Sequence, residues 1–239
     1  MPSPCPDYTA KVVPFSLVQY ERVVLLDSDV VVVRPDAITE LLAQPIPDGH
    51  VLASRDCAAT RLRFKDAEHE LQGGVLVLQP NLDVYAQLLG AVNTTYSRDS
   101  GGQGFFSSFF RGKVSWIANH YNYVSNDDCV HAYNPSTGRY RFDDSLRESR
   151  SASANGKTTN ALRWSQDDTE HLVRSHLASG AVGLIHFHGF PKAWHCSPEN
   201  VAECRGCVDR GCRPIAALHQ AWMDAERRTA AAGTAAETR

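Results

Sequence analysis

Residues 20–42, YERVVLLDSDVVVVRPDAITELL, set the terms on which this chain is read. Two apolar runs, Val23–Leu26 and Val30–Val33, are separated only by Asp27-Ser28-Asp29. Apolar runs without polar alternation mark a strand buried on both faces, as in the middle of a parallel or mixed α/β sheet. Arg34-Pro35 stops the run, and Asp36 is placed to cap a short helix from Ala37 to Ala43. Two carboxylates therefore stand two residues apart at the end of an apolar strand. In extended chain alternate side chains share a face, so Asp27 and Asp29 are expected to point the same way. Two such carboxylates repel each other unless a cation lies between them. Mn²⁺ or Mg²⁺ accepts that oxygen geometry and also bridges a diphosphate. Taken alone, D-x-D is more often an exposed turn.

Outward from this stretch, residues 8–20 read as a helical turn feeding the strand. His50–Ser54 reads as a second strand, and a polar stretch, 55–70, leads into a third, Gly73–Leu78. Residues 80–92 are helical by period, with Leu82, Tyr85, Leu88 and Leu89 on one face. Gly101–Phe110 places a Gly-rich turn before a helix whose phenylalanines, 105, 106, 109 and 110, sit at core spacing. Trp116–Val124 reads as extended and 134–168 as a long polar surface excursion. A last short strand, Val182–Phe187, runs into HFHGFPKAW (186–194), and Ile215–Arg227 is an amphipathic helix.

That last strand supplies a second chemical element. His186 ends it, followed by Gly189 and Lys192. An imidazole there completes a metal shell, a glycine lets backbone approach a phosphate, and a lysine offers a point charge to it. Separately, His186 is better explained as a packed histidine and Lys192 as a solvated surface charge; it is the ordered set that points to a site.

Of 239 residues, 43% are hydrophobic and 21% charged, which excludes a wholly disordered chain. A net charge of −3 argues against a nucleic-acid partner. No apolar run is long enough to span a membrane, and the N-terminal residues show no leader pattern. Four of the seven cysteines crowd together as Cys196, Cys204, Cys207 and Cys212, a spacing open to two disulfides, a four-thiolate zinc site or free thiols. Cys5, Cys57 and Cys129 read as small buried hydrophobes. Asn93-Thr94-Thr95 fits an N-glycosylation sequon.

Four segments in order, 20–42, LQGGVLVLQPNLDVYAQLL (71–89), GGQGFFSSFF (101–110) and HFHGFPKAW, resemble the glycogenin-like glycosyltransferases of family 8. The resemblance runs from about Lys11 to Trp194. It implies a GT-A fold, a Rossmann-like α/β sandwich that takes a UDP-sugar with Mn²⁺ (or Mg²⁺) and transfers a hexose, with retention, to a glycan or glycoprotein acceptor. On this likeness Asp27 and Asp29 are metal ligands with His186 as the third. Ser28, between the two acids, belongs to the donor-binding turn. Gly189 and Lys192 hold the donor diphosphate, Lys11 lies near the donor sugar, and Gln103 lines the face of the anomeric carbon.

The chain also departs from the family pattern. The acid expected before Gln103 is Gly102, for which Asp99, a few residues upstream, stands as a partial substitute. The family's N-S-G segment reads Gln72-Gly73-Gly74, so Gln72 and Gly73 are assigned to donor binding with an altered reach. The family's opening strand–helix–strand unit has no counterpart before Lys11. The expected organisation is a partial, N-terminally truncated GT-A domain over 1–194, a Cys-rich C-terminal extension with a helix over 195–227, and a disordered tail over 228–239. The alternatives are a catalytically silent relative that binds a glycan or protein, and a small zinc-binding module. The cysteine cluster leans the expected location towards the Golgi or secretory lumen rather than the cytoplasm.

Overall fold

The structure is a computed structural model that describes residues 10–57, 69–99, 101–140, 165–188, 192, 194 and 215–237. The chain enters through a 3-10 turn, Val13–Ser16, started by Pro14, which buries Phe15. Strand β1 (Val23–Leu26) follows, and then the Asp27–Asp29 turn. Strand β2 (Val30–Val32) and helix α1 (Asp36–Ala43) come next. They lead to strands β3 (Val51–Arg55) and β4 (Leu71–Leu78). Helices α2 (Leu82–Ala91) and α3 (Gly102–Phe109) precede strand β5 (Val114–Trp116) and β6 (Tyr123–Val124). A short helix α4 (Asp127–Ala132), a hairpin of β7 (Tyr133–Asn134) with β8 (Arg139–Tyr140), helix α5 (Gln166–Ala178), strand β9 (Leu184–His186) and helix α6 (Ala216–Glu237) complete the described elements.

The strands form two principal sheets rather than one. The first has the order β1-β4-β3-β5, antiparallel except for the parallel β3–β5 pair. The second has the order β2-β9-β6, with β2 antiparallel and β6 parallel to β9. The apolar stretch around Asp27-Ser28-Asp29 is thus split between sheets, and both of its strands are half-buried, not doubly buried as expected. Double burial belongs to β4, all eight residues of which are buried. Its Leu76 and Leu78 join Phe105, Phe106 and Phe110 from α3 and its C-terminal end, while Val75 and Val77 pack with Leu41 of α1.

Other expectations need correction. The period over 80–92 does give helix α2, capped by Asn81 Oδ1, which accepts from Asp83 N–H and Val84 N–H. Of its supposed apolar face, however, only Leu88 is fully buried; Leu82 and Leu89 are exposed. Residues 116–124 are not one extended segment, since a 3-10 turn, Asn119–Tyr121, intervenes. Helix α5 is capped by Ser165 and has only Thr169, Val173 and His176 buried, so its polar sequence hid it. Helix α6 runs past Arg227 to Glu237, through alanine-rich sequence of high helix propensity. Cys57 and Cys129 are buried as expected, but they are joined to each other in a disulfide. Cys5, Cys196, Cys204, Cys207, Cys212 and Gly189 lie outside the described residues, as does most of 134–168.

Candidate functional site

The Asp27-Ser28-Asp29 turn is the seam between the two sheets. Asp27 N–H donates to Gly74 O of β4 at 2.9 Å, and Val30 N–H closes the turn on Asp27 O at 3.0 Å. On the other side Phe187 N–H donates to Asp29 O at 2.9 Å, fixing the turn to the end of β9. Convergence of the two acids therefore comes from a turn held at both ends, not from strand alternation. Ser28 sits exposed at its tip.

Register brings His186 here, because Val30 of β2 pairs with His186 of β9. One ligand atom from each of Asp27, Asp29 and His186 lies within 4.8 Å of the others. His186 is 2% exposed, and its Nε2 stands 3.3 Å from Asp29 Oδ1. Its other nitrogen, Nδ1, faces Asn122 Oδ1 at 3.2 Å. Asn122 is fully buried and donates through Nδ2 to Ser54 Oγ and to Gln72 Oε1. Its oxygen is thus the atom left for His186, so Nδ1 donates to it and Nε2 is directed at Asp29. An imidazole nitrogen and two carboxylates aimed at one point form a site that can hold a cation. The donor set of two carboxylates and one imidazole suits Mn²⁺ or Mg²⁺. Burial works to raise the Asp29 pKa, but hydrogen bonding and charge from His186 and Lys192 outweigh it and hold the group well below the carboxylate range.

Two lysines complete the cluster. Lys11 Nζ lies 2.5 Å from Asp27 Oδ1 and donates to Gly73 O at 3.2 Å. Lys192 Nζ pairs with Asp29 Oδ2 and donates to Phe187 O at 2.9 Å. Gln103, near the start of α3, is clamped at both ends of its amide. Its Oε1 accepts from Gly73 N–H at 3.2 Å, and its Nε2 donates to Asp56 Oδ2 at 3.0 Å. Lys11, Asp27, Asp29, Gly73, Gln103, His186 and Lys192 thus form one connected constellation.

Two residues take places the sequence did not suggest. Gln72 is buried, and its Oε1 accepts from Gly74 N–H and from Asn122, so that oxygen supports the His186 orienter. Asp99 Oδ1 accepts from Ser97 Oγ, Gly101 N–H and Gly104 N–H at 2.9 to 3.0 Å, holding the N-terminus of α3. Asn122 and Asp56 went unnoticed in the sequence. Neither belongs to a recognisable spacing, and only the fold places them beside the cluster. Gly74 has a steric reason: a Cβ there would stand 2.3 Å from the His186 ring.

The model of glycosyl transferase family 8 matches residues 9–197. The chain belongs to that family. Among solved structures, the bifunctional glycosyltransferase WbbM in its apo form is 17% identical, with a TM-score of 0.50 over 79% of this chain and 32% of its own. The galactosyltransferase LgtC, in complex with donor and acceptor sugar analogues, is 19% identical and covers 94% of this chain and 66% of its own, with a TM-score of 0.44. GlyE of Streptococcus pneumoniae is 14% identical over 78% of this chain, with a TM-score of 0.46. No curated protein matches. The family-8 domain is thus a mixed α/β GT-A fold, and this chain spans about a third of WbbM and 66% of LgtC. Among the described residues no helix is long and apolar enough to cross a membrane.

Proposed function

We propose that this family-8 domain is a metal-dependent, retaining transferase that moves a hexose from a UDP-sugar to a hydroxyl of a glycan or glycoprotein. The observation that carries this reading is the convergence of Asp27, Asp29 and His186, from opposite ends of the chain, at the seam between two sheets. Mn²⁺ or Mg²⁺ held by these three side chains would neutralise the diphosphate as it leaves the sugar. Lys192 and Lys11 flank the same carboxylates and supply the further positive charge that a diphosphate needs. Gln103, with its amide fixed by Gly73 and Asp56, presents a rigid polar group where the sugar is expected. No side chain in the described cluster stands free as a strong base, which suits front-face attack in which the departing phosphate oxygen takes the acceptor's proton.

The test is hydrolysis and transfer of UDP-sugars with and without Mn²⁺. Metal-dependent turnover that is lost in Asp29→Asn supports the reading. Nucleotide binding without turnover favours the silent relative, for which Gly102 in place of an acid is the specific argument. The Cys57–Cys129 disulfide supports an oxidising, secretory location.

A further inference from the structure

We infer that Lys11 and Lys192 are built-in competitors of the divalent cation, so that metal binding hands both ammonium groups over to the anionic donor. This inference rests on the metal-dependent reading above. Each of the paired carboxylates carries one lysine, Lys11 on Asp27 Oδ1 and Lys192 on Asp29 Oδ2. All four side chains are at least partly buried, with exposures of 25% and 26% for the first pair and 21% and 13% for the second. The two lysines thus balance the two acids charge for charge.

A divalent ion brings the same two positive charges to the same two carboxylates, Asp27 and Asp29. It cannot share them at bonding distance with both ammonium groups, because like charges that close repel strongly in a half-buried site. Metal entry therefore moves Lys11 and Lys192 off the carboxylates. Their stems remain anchored beside the site, where Gly73 O and Phe187 O already accept from the two Nζ atoms. The cluster then gains two units of positive charge, matched to a diphosphate. The metal and the diphosphate consequently bind with positive coupling, and each strengthens the other by the same factor. Metal-free protein keeps its acids paired and its lysines occupied, so it holds a diphosphate poorly.

Calorimetric titration of Mn²⁺, alone and with inorganic pyrophosphate, tests this on the full chain and on Lys192→Met and Lys11→Met. Removing a competitor is expected to tighten Mn²⁺ binding about tenfold while weakening pyrophosphate binding to the Mn²⁺-loaded protein by a similar factor. A purely donor-binding lysine would leave the affinity for Mn²⁺ alone unchanged, and that result in both variants overturns the competition. In the unmodified protein, adding Mg²⁺ should shift the side-chain resonances of isotope-labelled Lys11 and Lys192. Unmoved resonances also overturn it, whatever happens to the variants' folding. Mn²⁺ binding that disappears in Asp29→Asn yet ignores both lysines leaves the metal-dependent reading intact and removes only the exchange. No Mn²⁺ binding by any of these proteins removes both.

Discussion

His186 is oriented by Asn122: the imidazole Nδ1 meets the amide Oδ1 at 3.2 Å, leaving Nε2 directed at Asp29. A ligand's second nitrogen, held this way, fixes both the ring angle and the tautomer. Because Asn122, which follows the 3-10 turn, is itself held by Ser54 of β3 and Gln72 of β4, the first sheet sets the aim of an imidazole carried by the second.

Replacing Asn122 with Leu should therefore weaken Mn²⁺ binding about 10- to 100-fold. The ring loses its partner while the metal-facing side chains remain. Calorimetry on a variant whose circular dichroism is native checks this, and unchanged affinity would contradict the orienting role.

Gly74 and Gly73 should respond differently to alanine. A Cβ on Gly74 would lie 2.3 Å from the His186 ring, whereas one on Gly73 meets Gln103 at an ordinary 3.5 Å. Gly74→Ala is expected to displace His186 and abolish measurable Mn²⁺ binding. Gly73→Ala should keep it. Equal metal affinities in the two variants would show that the ring can move aside.

Stability should fall in mild acid because of His176. Its ring accepts or donates at 2.8 Å to the Tyr123 hydroxyl in a buried site, and burial, with a smaller push from His131, lowers its pKa to about 4. The unfolded chain takes up a proton near pH 6.5 that the folded chain refuses until about pH 4. The contribution is whole above pH 6.5 and is lost progressively on going down to 4, amounting to no more than about 3 kcal/mol. Denaturant midpoints measured across this range should slope less in His176→Gln. A parallel slope would assign the acid sensitivity elsewhere.

The Cys57–Cys129 link closes a 72-residue separation and abuts Asp56, the partner of Gln103. Chain entropy alone makes it worth about 4 kcal/mol. The Cys57→Ser/Cys129→Ser double variant should melt well below the parent. It should also lose transfer rate at temperatures where it is still folded, since the strand end carrying Asp56 is no longer tied to α4. Melting curves and rates that match the parent would make the link dispensable.

Expression through a eukaryotic secretory route should add one glycan at Asn93. This side chain is exposed in the turn after α2, and Thr95 N–H is bonded to Ala91 O at 2.9 Å. Glycopeptide mass spectrometry, with Asn93→Gln as control, decides it; an unmodified Asn93 peptide counts against the sequon.

Much of the site was legible because its residues are chemically conspicuous. Two acids at the end of an apolar run, and a histidine ending another, are residue types that suit a cation, and their order along the chain, with the likeness to family 8, joined them into one ligand set. Helix α3 was equally plain, since four phenylalanines at helical spacing have nowhere to go but the core, where 105, 106 and 110 lie. Helix α5 was invisible because its buried face is Thr169, Val173 and His176, a pattern whose hydrogen bonds to neighbours replace apolar contrast. The pairing of Cys57 with Cys129 could not be read either, because spacing says nothing about which cysteines meet.

The sequence alone determined where the buried strands β3, β4 and β9 run and which side chains bring charge, since both follow from local pattern and residue type. Tertiary structure decided that the strands on either side of Asp27-Ser28-Asp29 belong to different sheets, and it alone placed His186, Asn122 and Lys192 around that turn. The reason is physical. Alternation and propensity act over a few residues, whereas hydrogen-bond register between distant strands is fixed only when the whole core closes.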